Sequence, residues 1–390
     1  MKKLIALLLA AMLLVPAFSM ADNVIKIGVF EPSTGDNGAG GKQEILGVEY
    51  AHSLAPTVTI GGEEYTVELD IVDNQSVNDK AVSAAAKLAS DKVAVVLGSY
   101  GSGVCMAAGD TFVEAGIPAI GISCTNPNVT LLCDNYWRIC FIDPFQGSVM
   151  ANFAWQKGCR KAYVLFMQGE DYGSGLANYF VKAFQKLGGE VEGGEAAYFS
   201  EGTSDFTAFL TNAKNAGCDV FFAPCSTGYA AQIIEQAASQ GATFPLIAGD
   251  TWENSAILNA AKGRNVEVYF STFVNENDDA PLAKQFVEGY QAWLNANSDK
   301  MTNNGGNDIV AAVSTLGFDA YNVALAAITK ADSADPAAII EALKTLSYEG
   351  ATGVIEFDEN GDAKKDTAFI KYANPETGAF DFVTAQKVEE

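Results

Sequence analysis

The sequence predicts an α/β protein of two doubly wound parallel-sheet lobes, with an interdomain cleft and a hinge of three chain crossings. Three observations predict it. Short, wholly apolar strands alternate with amphipathic or alanine-rich helices, the pattern of a parallel sheet covered on both faces. After Phe141 that pattern restarts with a second series of similar plan. The 390 residues also exceed the size at which a single core usually splits.

The elements follow in order. Residues 1–21 read as an export signal: Lys2 and Lys3 give a positive start, Leu4 to Val15 an apolar run, and Ser19-Met20-Ala21 a small-residue cleavage site. That run is shorter than the roughly 20 residues that span a bilayer. With no cysteine after the cut, a lipid anchor is not indicated, and the mature chain is expected to start at Asp22 outside the cytoplasm, in solution. Val24 to Phe30 reads as a buried strand, Gln43 to Ser53 as a helix, Tyr65 to Val72 as a strand and Val77 to Ser90 as a helix. Val93–Leu97, Pro118–Ile122 and Trp137–Phe141 read as strands, with a helix from Val104 to Ala115. In the second series, strands are expected at Ala162–Phe166, Glu190–Tyr198, Asp219–Ala223, Pro245–Ala248 and Val266–Phe270, separated by helices. Three later helices, Pro281–Asn295, Ile309–Thr329 and Pro336–Leu346, bring no sheet of their own and should return to cover the first lobe. The expected division is 22–142 with 274–349 in one lobe and 143–273 with 350–390 in the other. Crossings would fall near Phe141–Pro144, Ser271–Val274 and Ser347–Gly350.

Composition removes several classes of function. Basic residues number 24 against 48 acidic ones, which disfavours nucleic acid and anionic membranes. His52 is the one histidine, and no Cys-x-x-Cys pair accompanies it, so neither a metal cluster nor a Ser-His-Asp or Cys-His site is expected. No Gly-x-Ser-x-Gly elbow is present. The glycine-rich loop Gly35–Gly41 lacks dinucleotide-fingerprint spacing and carries Asp36 where a pyrophosphate needs positive charge. No cofactor is expected. Seven cysteines fit an oxidising compartment; topology suggests Cys159 with Cys218 as one pair and, more weakly, Cys105 with Cys133.

Ligands of open α/β sheets bind at strand carboxyl ends, and several polar loops fall there. Gly98-Ser-Tyr100-Gly-Ser102-Gly leads into a helix, and Ser123-Cys-Thr125-Asn-Pro127 follows another strand. Together they offer hydroxyls and free backbone N–H groups for one carboxylate; singly, each reads as ordinary capping or a turn. Opposite them, Tyr172 and Asp250 end strands of the second series, where they suit an ammonium group. The alternative for Asp250 is a helix N-cap. An anion clamp facing a cation acceptor describes a site for a zwitterion such as an α-amino acid.

These residues resemble the type I periplasmic solute-binding proteins, specifically the Leu/Ile/Val-binding proteins of ABC transporters. The resemblance spans essentially the whole mature chain. It rests on Ile27-Gly-Val-Phe, Pro32-Ser-Thr-Gly35, Gly98-Ser-x-x-Ser102, Thr125-Asn-Pro127, the run Arg138 to Gln146, Asp171-Tyr172-Gly173 and Gly249-Asp250. It implies that Ser102 and Thr125 bind the ligand carboxylate, that Tyr172 and Asp250 receive the α-ammonium, and that Tyr100 and Ser123 line the cleft. It further implies a monomeric periplasmic receptor that closes over an amino acid and delivers it to membrane permease subunits. The chain departs from the family where an aromatic ring is common: Gly40 stands in one such place and Cys225 or Ser226 in another. Both changes shrink the wall, so a branched-chain or a larger aliphatic or aromatic amino acid is expected. Glu31 reads as a solvent-facing loop acid, with contact to a polar or cationic ligand side chain as the alternative. Two other functions fit the same fold: a ligand sensor signalling to a regulator, and an exported amide or ester hydrolase.

Overall fold

The computed structural model describes residues 23–276 and 279–387; the expected export signal lies outside the described residues. Strands β1 (Val24–Glu31), β2 (Thr57–Ile60), β3 (Glu63–Asp73), β4 (Val95–Leu97), β5 (Ala119–Gly121) and β6 (Tyr136–Arg138) form one six-stranded sheet in the order β2-β3-β1-β4-β5-β6. All its pairs are parallel except the β2–β3 hairpin. The central strands are short and wholly buried, as Val95-Val96-Leu97 illustrates, because helices cover both faces.

The second sheet takes β7 (Lys161–Met167), β8 (Glu190–Val191), β9 (Ala197–Phe199), β10 (Val220–Phe222), β11 (Leu246–Ala248) and β12 (Val268–Thr272). A hairpin of β13 (Ser347–Gly350) and β14 (Gly353–Glu356) stands apart, while β15 (Ala368–Ala373) and β16 (Phe380–Gln386) add antiparallel edge strands beyond β12. Both doubly wound lobes are therefore present. The single strand expected over Glu190–Tyr198 is divided into β8 and β9. Gly193 and Gly194 lie between them at φ values of 75° and 80°, a backbone region that breaks a strand.

The strand expected over Trp137–Phe141 ends at Arg138, because the chain leaves the sheet to enter a helix at Asp143–Gln156. Sequence patterning misses that helix: it is buried on several sides, so its apolar residues form no single stripe. A parallel bridge joins Arg138 to Asp362, so the segment after β14 still runs beside β6.

The late helix Ala312–Ala331 packs along the early helix Gly38–Leu54 at very close range. A Cβ on Gly47 would overlap the Ser314 carbonyl, and one on Gly317 would overlap the Glu44 carbonyl. Glycine at these two positions permits the approach, which fixes the helix carrying Gln43 and Glu44.

All seven cysteines are free thiols, contrary to the pairings expected from topology. The Cys159 thiol turns to the Asp219 carbonyl at 3.4 Å, and the Cys105 thiol to the Ser99 carbonyl at 3.7 Å. His52 is half-buried, with Nε2 2.9 Å from the Val67 carbonyl.

Candidate functional site

The loops that leave β1, β4 and β5 converge on those that leave β7, β10 and β11. Beyond β4, the chain enters the Ser102–Ala115 helix. Ser102 is buried, and its Oγ accepts the Asn126 N–H at 3.2 Å. Thr125 is fully buried, and its Oγ1, with no partner at hydrogen-bond distance among the described residues, stands close enough to the Asp143 carboxyl to lower it. A buried, unpaired hydroxyl costs free energy unless something occupies it.

Arg138 holds this second loop in place. Its Nη1 donates to the Cys124 and Asn126 carbonyls at 2.8 and 2.6 Å, and its Nη2 to Thr130 Oγ1 at 2.8 Å. Nε is paired with Asp362 Oδ1 at 2.5 Å. Five rigid donors on one guanidinium explain why arginine stands here. Sequence reading quoted Arg138 as part of a run without assigning it this work.

Across the cleft, Asp250 Oδ1 accepts from the Tyr172 hydroxyl at 3.0 Å and from Gln146 Nε2 at 2.7 Å. Gln146 Nε2 also reaches Ser271 Oγ at 3.0 Å. Asp250 lies in a short 3-10 turn, and Asn254 caps the next helix by accepting the Ala256 N–H at 3.0 Å. The capping alternative for Asp250 therefore falls to Asn254. Burial raises the Asp250 carboxyl to about 6, against the hydrogen bonds from Gln146 and Tyr172. Glu170 caps the Asp171–Lys186 helix through the Tyr172 and Gly173 N–H groups, and burial raises it to about 7. Asp143 is buried with both oxygens unpaired among the described residues, and burial holds its carboxyl well above the ordinary range.

Three expectations at the side-chain end change. Glu31 is fully buried rather than solvent-facing, and accepts the Tyr100 N–H at 2.8 Å. Ser123 donates its hydroxyl to Glu44, a residue sequence reading did not single out. The space left by Gly40 is filled by the Tyr100 ring, where a Cβ on Gly40 would collide, so that wall is not empty. At the other departure, Cys225 is buried beside the fully buried Trp252. The signal for Glu44 was available in its helix: Gly40, Glu44, Gly47 and Ala51 recur at helical spacing on a small, buried face, where an ionisable residue is anomalous.

Glu31 and Glu44 act directly on each other. Burial, then the neighbouring Glu44, pushes Glu31 well above the ordinary range; burial also raises Glu44 to about 8, opposed by hydrogen bonds from Glu31 and Ser123. Two carboxyls so placed share protons well above the ordinary carboxyl range.

Contacts also cross the cleft. Asn126 Nδ2 donates to the Asp171 carbonyl at 2.9 Å, and Asn254 Nδ2 to Gln43 Oε1 at 3.2 Å. The two lobes are thus closed on each other. At the mouth, a cavity of about 320 Å³ is rimmed by Asp36, Asp79, Glu170, Asp171 and Glu201. Among the described residues no group of His, Cys, Asp and Glu is arranged to hold a metal ion.

Two α/β lobes closed over a polar cleft define a two-lobed solute-binding protein. The family model for periplasmic binding proteins matches residues 24–377, and the chain belongs to that family. It is 29% identical over 366 residues, covering 91% of each chain, to a Leu/Ile/Val-binding protein homolog of Brucella suis. A Pseudomonas aeruginosa protein named for binding leucine, isoleucine, valine, threonine and alanine is 27% identical over 357 residues, covering 89% of each. Among solved structures, the leucine-binding protein LivK of Thermotoga maritima superimposes with a TM-score of 0.82 at 33% identity, over 93% of this chain and 99% of that one. LivJ of Streptococcus pneumoniae, in complex with isoleucine, gives 0.80 at 26% identity, over 94% and 99%. A Rhodopseudomonas palustris binding protein in complex with benzoate has the same fold at 20% identity and a TM-score of 0.79. The family and these relatives are substrate-binding proteins, not enzymes; the Rhodopseudomonas palustris one is named as the solute-binding protein of an ABC transporter.

Proposed function

We propose that this chain is an extracytoplasmic receptor that closes over an α-amino acid and delivers it to membrane permease subunits of an ABC transporter. One observation carries the reading. Asn126, between Thr125 and Pro127, bonds Ser102 on its own side and the Asp171 carbonyl across the cleft, next to the Tyr172–Asp250 pair, which supports placing the Ser102 and Thr125 hydroxyls opposite that pair. The hydroxyls and the start of the Ser102–Ala115 helix would take the α-carboxylate, and Asp250 with the Tyr172 hydroxyl the α-ammonium. Tyr100 and Ser123 would line the cleft beside them. Residues 1–21 would direct the chain to the periplasm, where it would act as a monomer. No helix of the described residues is long and apolar enough to cross a membrane.

The lobes would comprise 22–142 with 274–349 and 143–273 with 350–390. The Arg138–Asp362 bridge favours moving the third crossing from Ser347–Gly350 to the stretch between Asp362 and β15. Closure would follow from contacts that a ligand makes with both lobes at once.

The test is calorimetric titration of the mature chain, after unfolding and refolding to strip co-purified ligand, with each of the standard amino acids. At least one should bind, and Asp250→Asn should weaken it by about 10- to 100-fold, the effect of losing a hydrogen bond to a charged group. If no amino acid binds, the reading is wrong.

A further inference from the structure

We propose that the amino acid bound in this cleft carries a second positive charge at the end of its side chain, as lysine, ornithine and arginine do, and that Glu31 and Glu44 receive it beneath the Tyr100 ring. The inference rests on the amino-acid reading above and specifies the side chain.

The argument begins with two acids buried against each other with no cation beside them. Glu31 and Glu44 are both fully buried and hydrogen-bonded to each other, and among the described residues no other group reaches Glu31 Oε1 or Glu44 Oε2. Their other oxygens are held by the Tyr100 N–H and the Ser123 hydroxyl, so both carboxyls are fixed in place. Buried carboxylates are ordinarily paired, and the cations near this cleft are committed elsewhere. Arg138 pairs with Asp362, and Lys371 lies between Glu253 and Glu276. The ion pairs among the described residues include none to Glu31, Glu44 or Asp250.

A branched-chain amino acid does not fill this deficit. Its ammonium meets Asp250 and its carboxylate meets the hydroxyls, leaving the glutamate pair against a hydrocarbon side chain. A terminal ammonium or guanidinium would displace the shared proton and donate to both carboxyls in its place.

Position agrees with charge. The Tyr100 phenol is held well above its ordinary range by burial and then by Asp250, Glu44, Glu253 and Glu31, so its hydroxyl stands among carboxyls from both lobes. Glu44 is likewise within electrostatic reach of Asp250. The two acceptor groups are thus close enough to act on each other and on the Tyr100 phenol, an aromatic ring suited to a cation. The mouth carries five further acids, which concentrate cations at the entrance.

Calorimetry on the refolded mature chain, with L-lysine, L-ornithine, L-arginine, L-leucine, L-norleucine and the diamine cadaverine as probes, tests the inference. At least one basic amino acid should bind 100-fold or more tightly than leucine and norleucine, the latter being lysine without its terminal ammonium. Glu31→Gln and Glu44→Gln should each weaken the basic ligand at least 10-fold and narrow its margin over norleucine. Leucine or norleucine binding as tightly as every basic amino acid would overturn the inference while leaving the amino-acid reading intact. Failure of every amino acid would overturn both, and so would cadaverine binding as tightly as lysine, since the carboxylate clamp would then contribute nothing. The wild-type comparison decides the matter even if a variant fails to fold.

Discussion

At the scale of single residues, the cleft holds carboxyls that would be cheaper to keep protonated. Glu44 is raised to about 8, Glu170 to about 7 and Asp250 to about 6, in each case first by burial. For an acid whose folded value exceeds its unfolded one, the folded state binds more protons, so its stability falls as pH rises. The contribution is complete below the ordinary carboxyl range near 4 and is lost progressively up to about 8. The ligand-free chain should therefore melt at a steadily lower temperature from pH 5 to pH 8. Glu44→Gln should flatten the upper part of that slope, a comparison that differential scanning calorimetry makes directly. The groups facing Glu44 are Glu31, Ser123, Cys105 and Asp250, none of them a cation. A bound cation should expel the proton shared by Glu31 and Glu44, so the heat of binding measured at pH 7 should change with the ionisation enthalpy of the buffer.

At the scale of elements, one guanidinium decides whether the Thr125 loop keeps its shape. Arg138 ends β6, reaches carbonyls at Cys124, Asn126 and Pro127, and pairs with Asp362. Replacing it with methionine strands a nearly buried Asp362 and several carbonyls, a class of change that costs about 3–5 kcal/mol. Urea denaturation should show that loss, and ligand affinity should fall through the displaced Thr125. Much of this architecture was legible in the sequence, for particular reasons. Val95-Val96-Leu97 and Val220-Phe221-Phe222 are apolar without alternation, which only a strand covered on both faces needs. The polar loops at Ser102, Thr125, Tyr172 and Asp250 stood at strand ends, where the topology brings them together. Glu31 and Glu44 were not legible in the same way. Glu31 is buried against the Tyr100 segment, whose N–H it accepts from 69 residues away, a long-range contact that leaves no local periodicity. The Asp143–Gln156 helix was hidden because burial on several sides removes the one-sided stripe that announces a helix.

At the scale of the whole molecule, side-chain amides among the described residues join the two lobes across the cleft. Asn126 to Asp171 and Asn254 to Gln43 join the lobes, each with an amide donor. Such bonds contribute about 0.5–1.5 kcal/mol apiece, so a ligand touching both sides can dominate the balance between open and shut. Asn126→Ala should weaken ligand affinity roughly 2- to 10-fold by the same magnitude, without altering contacts at Asp250. Small-angle scattering should show the ligand-free variant more extended than the wild type, and saturating ligand should abolish the difference. Equal dimensions in both ligand-free proteins would mean that Asn126 does not hold the lobes shut.

The crossing of Gly47 against Gly317 has a consequence in time as well as in space. The helix that presents Gln43 and Glu44 is clamped by one that begins at Ala312, after the whole second sheet apart from its two edge strands has been made. A ribosome completes the first β-strand long before it releases the segment that secures its neighbour. Folding dominated by such distant partners is slow, and a slow folder remains threadable while it is being made. If residues 1–21 do direct export, late completion of the first lobe would keep the chain loose enough to be translocated and would lock the helix of Gln43 and Glu44 only on the far side.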